Sequence, residues 1–199
     1  MSEDQIKYED FSMDTISDFL FEATMLKKIP RSGYQFLGSG KESVAEHVFI
    51  TTLIAFVLSQ IRPGIDASRL VNMCLVHDLL EARTGDLNHM QKKYVTADDE
   101  TALSDTVKGL PFGKTLAALL REFAEGRTEE AVLARDADQL AFLIDLKALA
   151  DMGHQNAKKW IPLVKDRVQS ALGKQIAETL LTTEHDRWWL QKLMGVSDR

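Results

Sequence analysis

Apolar residues recur at three- and four-residue spacing over most of the chain, and no run alternates apolar with polar long enough to make a strand. The first such segment covers residues 14–28, with Ile16, Phe19, Leu20, Ala23 and Leu26 on one side, and Pro30 ends it. The next stretch, "RSGYQFLGSGK", carries three glycines and reads as a loop. A second helix opens on "SVAE", where Ser43 stands three residues before Glu46 in the capping-box arrangement. It runs to about Ile61, is apolar nearly all round, and is therefore expected to be central and buried. "RPG" ends it. A third helix is expected to start near Asp66 or Ser68 and to continue through "LVHDLLEART" to Gly85.

Further helices are expected over residues 96–108, 111–125, 128–155 and 162–193, the last broken near Gly173 or in "TTEHD". Neither an internal repeat nor a low-complexity segment interrupts the pattern. The expectation is an all-α, single-domain helical bundle over residues 1–199, with its core in about 14–160 and a helical extension over 161–199.

Composition narrows the function classes. The chain has 199 residues and a formal net charge of −6, which argues against a nucleic-acid polymer as the main partner. The acidic amino terminus "MSEDQIKYEDFSMD" lacks the pattern of a signal peptide, and the apolar run 48–61 is too short and too interrupted to span a bilayer. One cysteine, Cys74, sits in the apolar run "LVNMCLVHDLL" and reads as a small core residue. A cytoplasmic protein without a membrane partner is expected.

The dipeptide His-Asp occurs twice. His185-Asp186 lies in "LLTTEHDRWW", among charged and hydroxyl neighbours that suit a solvated surface or a helix break. His77-Asp78 lies between "VNMCLV" and "LLEA", where titratable groups need a specific partner. Taken alone, that partner is a buried hydrogen bond between the two or an arginine from another helix. Two more positions favour a metal ion. His47 opens the buried second helix in "AEHVFI", and Asp138 lies in "LARDADQLAFLID", beside the apolar side of another helix.

Helical bundles build metal sites from side chains on facing helices in this way. Two neutral imidazoles and two carboxylates suit one divalent transition metal such as Mn, Fe, Co, Ni or Zn. Glu81, three residues after Asp78, projects toward the same region and is a candidate general acid/base. Asp86 follows Gly85 and serves either the turn or the site, as a ligand contact or a hydrogen bond to a metal-bound histidine.

His47, His77-Asp78 and Asp138 together resemble the H…HD…D pattern of the HD-domain metal-dependent phosphohydrolases. "IPRSGY…KESVAEH" and "LVHDLLEARTGDL" are similar to the corresponding segments of the 5'-deoxynucleotidase branch, closely over residues 26–87 and more loosely around Asp138. The resemblance implies His47, His77, Asp78 and Asp138 as metal ligands, Glu81 as the catalytic acid and Asp86 as a further active-site acid. It implies Arg31 as the phosphate-binding residue, with Asp136 a near competitor of Asp138. The bacterial enzymes place an aromatic directly after the arginine, where it helps select deoxyribose. Here Ser32 follows and Tyr34 comes later, as the candidate substrate contact.

The implied activity is hydrolysis of nucleoside 5'-monophosphates, preferably deoxynucleotides, by a protein expected to be a homodimer. The alternatives are hydrolysis of dNTPs or guanosine tetraphosphate, or a catalytically silent binding module. Alarmone hydrolases favour a second acid after the glutamate, where this chain has Ala82, and the Gly-Tyr-Pro signature of the cyclic-dinucleotide class is absent. Trp160, Trp188 and Trp189 read as packing or interface residues, His89 and His154 as polar surface groups, and Lys41 and Arg83 as surface cations.

Overall fold

The computed structural model describes residues 12–195, and among them every regular element is helical. The expectation about the amino terminus concerns residues 1–14, of which 1–11 lie outside this range. Among the described residues the β pairing is a single antiparallel bridge between Pro30 and Ser43.

Helix α1 (Met13–Thr24) passes into a short 3-10 turn, Met25–Lys27. The glycine-bearing loop that follows contains one helical turn, α2 (Tyr34–Leu37). Helix α3 (Val44–Ile61) starts on the expected capping box. Ser43 Oγ accepts from Glu46 N at 3.2 Å, and Glu46 Oε2 accepts from Ser43 N at 2.7 Å. That cap fixes His47 in the first turn, pointing inward.

The chain continues with α4 (Ala67–Val76), α5 (Glu81–Thr84), α6 (Asp99–Val107), α7 (Gly113–Glu125) and α8 (Glu129–Asp151). It ends with α9 (Gln155–Lys165), α10 (Ala171–Thr182) and α11 (Arg187–Leu193). Helix α8 is the axis of the fold and packs against α3, α4, α7, α9 and α10. Its Leu133, Leu140, Leu143 and Leu146 are fully buried, and Ala134 and Ala137 pack with Leu58, Leu70, Met73 and Cys74. Cys74 is a core residue, as expected.

Three expectations need correction. Helix α3 is not buried all round: Val44, His47, Val48, Thr51, Ala55 and Leu58 are buried, whereas Phe49, Leu53, Phe56 and Ile61 are exposed. Val44 and Val48 lie beside Leu26, Leu79 and Leu116, and Ala55 and Leu58 against α4 and α8. Neighbouring helices cover only one side of it. The expected third helix is interrupted at the His-Asp pair itself. The backbone N–H groups of Leu79, Glu81, Ala82 and Arg83 bond three residues back, to Val76, Asp78, Leu79 and Leu80, a tighter winding than the α-helix.

The third correction concerns Pro162, which lies inside α9 and does not start a helix. The proline forgoes one backbone bond, while burial of Ala157 and Val164 against the core holds the segment helical. The break comes at residues 166–170, ahead of Gly173, and a second one falls in "TTEHD" as expected.

Candidate active site

Three helical segments bring the expected ligands together. His47 comes from the first turn of α3, His77 and Asp78 from the tight turns after α4, and Asp138 from the middle of α8. Donor atoms of His47, His77 and Asp78 all lie within 4.8 Å of one another. Asp138 joins them through His47, whose Nε2 is 2.9 Å from Asp138 Oδ1 and 3.9 Å from Asp78 Oδ2. The two imidazole rings are 5.6 Å apart, and Phe123 lies 5.0 Å from that of His77.

The polar atoms in this cluster are arranged for a cation. His77 Nδ1 donates to the carbonyl of Cys74 at 2.7 Å, which leaves Nε2 as the lone-pair nitrogen. That Nε2 is buried without a hydrogen bond, 3.3 Å from Asp78 Oδ2 but out of line with it. A buried lone pair beside carboxylate oxygens is costly unless a positive ion lies among them. Protonation follows the same logic: burial alone would lower the His77 pKa, yet Asp78, Asp138 and the Cys74 carbonyl together outweigh burial and push it up to about 9. The N2O2 donor set fits a divalent transition metal.

Asp136 and Asp138 are two residues apart and have different work. Asp136 is fully buried, and its two oxygens accept from Gln169 N at 2.6 Å and Ser170 N at 2.9 Å, at the amino-terminal end of α10. A β-carbon at Gly173 would come within 2.5 Å of Asp136 Oδ2, so the glycine admits this approach. Asp138 Oδ2 accepts from Gln139 Nε2 at 2.8 Å, and its Oδ1 faces His47.

Arg31, Glu81 and Asp86 surround the cluster. Arg31 Nη1 is 3.3 Å from Asp78 Oδ2 and 3.7 Å from Asp86 Oδ2. Asp86 Oδ2 also accepts from Ser32 N at 2.9 Å, so it ties the Arg31 segment to the end of α5. Glu81 N donates to the Asp78 carbonyl at 3.0 Å, so the two residues stand one tight turn apart, and both line the same cavity. Glu81 Oε2 is buried and unpartnered. Burial first, then the charges of Asp78 and Asp86, push its pKa up to about 8. At neutral pH it is a carboxylic acid.

These residues form part of the lining of a cavity of about 810 Å³. Arg31, Asp78, Glu81, Asp86 and Asp138 supply its charged part, and Phe123, Phe142 and Trp160 an aromatic part. Lys92, His89 and Arg167 also line it. Tyr34 is buried in the lining, and its hydroxyl donates to Asp145 and lies 3.5 Å from Glu42 Oε2. Glu42 in turn is 3.8 Å from His47 Nδ1.

Sequence reasoning did not assign Phe123, Phe142, Lys92 or Arg167 to the site, and it read Trp160 as packing. Only one signal was available: Trp160, Leu163, Val164 and Arg167 repeat at helical spacing, with a cation ending the row. Arg83 is a surface ion-pair residue, held by Glu22 at 2.5 and 2.8 Å. Trp188 and Trp189 are exposed, and His154 stands at the amino-terminal end of α9.

Comparison with known proteins agrees with this geometry. The sequence model described as HD domain matches residues 23–180. The 5'-deoxynucleotidase HDDC2 of Homo sapiens is 25% identical over 166 residues, which cover 80% of this chain and 78% of the human one. The 5'-deoxynucleotidase hdd1 of Schizosaccharomyces pombe is 26% identical over 142 residues, covering 66% of this chain and 71% of that protein. A crystal structure of a Pyrococcus horikoshii protein matches with a TM-score of 0.69 at 25% identity, covering 83% of this chain and 98% of its own.

Proposed function

The chain belongs to the HD domain family, and from that premise we propose that it is a metal-dependent phosphohydrolase of nucleoside 5'-monophosphates, deoxynucleotides above all, releasing nucleoside and phosphate. The observation that carries this reading is the convergence of His47, His77, Asp78 and Asp138, with the two carboxylates opening on the cavity that Arg31 and Glu81 also line. In this reading those four residues hold the divalent ion. When bound, it supplies Lewis acidity toward the phosphate and acidifies water toward neutrality.

The remaining chemistry belongs to the chain. A phosphate dianion entering this cavity meets Asp78, Asp86 and Asp138, and their summed charge repels it. Arg31 offsets that repulsion, because a guanidinium presents paired N–H donors that match phosphate oxygens. Burial would lower the Arg31 pKa, but Asp78, Asp138, Asp86 and Glu81 outweigh it, so the cation is permanent. Glu81 reduces the repulsion by remaining uncharged, and it holds a proton for the departing ribose oxygen as water attacks phosphorus. Asp86, bonded to Ser32 N, fixes the loop from which Arg31 reaches in.

Protein loaded with Co or Mn is expected to release phosphate from deoxynucleoside 5'-monophosphates, as measured by a phosphate assay over a panel of nucleotides. Turnover confined to dNTPs or guanosine tetraphosphate would move the chain to another branch. Absence of both metal and turnover would leave a silent binding module.

A further inference from the structure

We propose that the face of α9 carrying Trp160 is the subsite for the substrate's base, with the indole as a stacking surface. This inference rests on the nucleotide reading above. Trp160, Leu163 and Val164 on α9, and Arg167 just past its end, stand at i, i+3, i+4 and i+7, and all four line the cavity onto which Asp78, Asp138 and Arg31 open. Leu163 is largely exposed, and Trp160 is partly buried against the core with one side left for the cavity. The row is apolar until Arg167.

The indole is held in place from two directions. Phe142 meets it edge-on at 6.1 Å and 82°, and Tyr34 meets Phe142 at 5.9 Å and 70°. Tyr34 is anchored through its hydroxyl to Asp145. Gly33 borders the ring: a β-carbon there would sit 3.9 Å from Trp160 Cζ3. The loop that presents Arg31 therefore runs along the same ring two residues later. One end of a nucleotide would meet a guanidinium and the other a rigid aromatic face, with the sugar between them.

A stacking surface adds affinity for any base, because every base has a π-face. It adds nothing for a sugar phosphate that has none. The test is calorimetric binding of two non-hydrolysable ligands, a deoxynucleoside 5'-methylenephosphonate and the same sugar phosphonate without a base, to metal-loaded wild type, Trp160→Ala and Trp160→Phe. Trp160→Ala is expected to weaken the nucleotide analogue roughly tenfold or more, the scale of base–aromatic stacking. Binding of the base-free ligand should stay unchanged, and Trp160→Phe should recover most of the loss.

Equal weakening of both ligands would make Trp160 a support of the wall and overturn the subsite. No weakening of either would overturn it as well. Because the readout is binding, a wild type that fails to hydrolyse nucleotides would refute the proposed activity while leaving this result intact.

Discussion

His77-Asp78 and His185-Asp186 are the same dipeptide in two environments. The first lies at the end of α4, with the imidazole buried, Arg31 3.3 Å from the carboxylate, and His47 and Asp138 completing the cluster from other helices. The second lies between α10 and α11, where the His185 side chain is 36% exposed and Asp151 lies 3.4 Å from it. Asp186 precedes α11 without capping it through its side chain. Buried, the pair needs compensation and recruits it from distant parts of the chain. Exposed, it can be met by water, and among the described residues only Asp151, of the acids on other elements, lies against it. Chemistry at a His-Asp pair is thus a property of the helices that meet there.

Removing one carboxylate from the buried pair is the largest test of that difference. Asp78→Ala is expected to take bound metal from stoichiometric to trace, measured by elemental analysis of purified protein, and phosphate release should vanish with it. The same substitution at Asp186 should change neither quantity. A full equivalent of metal in Asp78→Ala would end the equivalence of site and cluster.

Glu81→Gln separates the ion from the proton. It should keep its metal and lose roughly 10²- to 10⁴-fold in kcat, the usual range for a positioned acid or base. In the metal-free protein it should also alter the pH dependence of stability. The Glu81 carboxyl, ordinarily near 4.5, is pushed up to about 8 by burial first and then by Asp78 and Asp86. Between these values the folded protein retains a proton that the unfolded chain has lost, so stability falls as pH rises through that window. The contribution is complete below about pH 4.5 and gone above about pH 8. Urea unfolding across this range should show wild type losing ground to Glu81→Gln. A constant gap would remove the buried proton from Glu81.

Much of the architecture was legible in the local pattern. The capping box at Ser43 and Glu46 placed the start of α3, and hence the inward aim of His47, because it satisfies specific backbone N–H groups wherever it forms. Asp138 was legible because Leu133, Ala137, Leu140 and Ala141 define the buried side of α8 beside it. The tight turns through His77-Asp78 were not, since "LVHDLLEA" has the apolar spacing of an uninterrupted helix. Pro162 misled because proline opens helices more often than it sits inside them.

The aromatic wall was hidden for another reason: Phe123, Phe142 and Trp160 have the spacing of ordinary core residues on α7, α8 and α9. Only the packing of those helices leaves a cavity in front of them. The outer face of α3 is the converse case, apolar in sequence and uncovered by the helices around it.

The smallest expected effect belongs to the exposed member of the comparison, and it follows from what Asp151 keeps when His185 is truncated. Asp151 accepts from Lys147 Nζ at 2.5 Å through both oxygens and from the backbone N–H of His185 at 3.0 Å. His185→Ala removes neither bond; it deletes only a half-exposed imidazole contact of the kind worth about 0–1 kcal/mol. For a chain of this size that is a fall in Tm of no more than about 2–4 °C. Metal content and kcat should equal wild type, since no atom of this pair lines the cavity of the candidate site. Loss of metal from His185→Ala would mean that the carboxyl-terminal helices help hold the cluster together, and the two dipeptides would then no longer be independent.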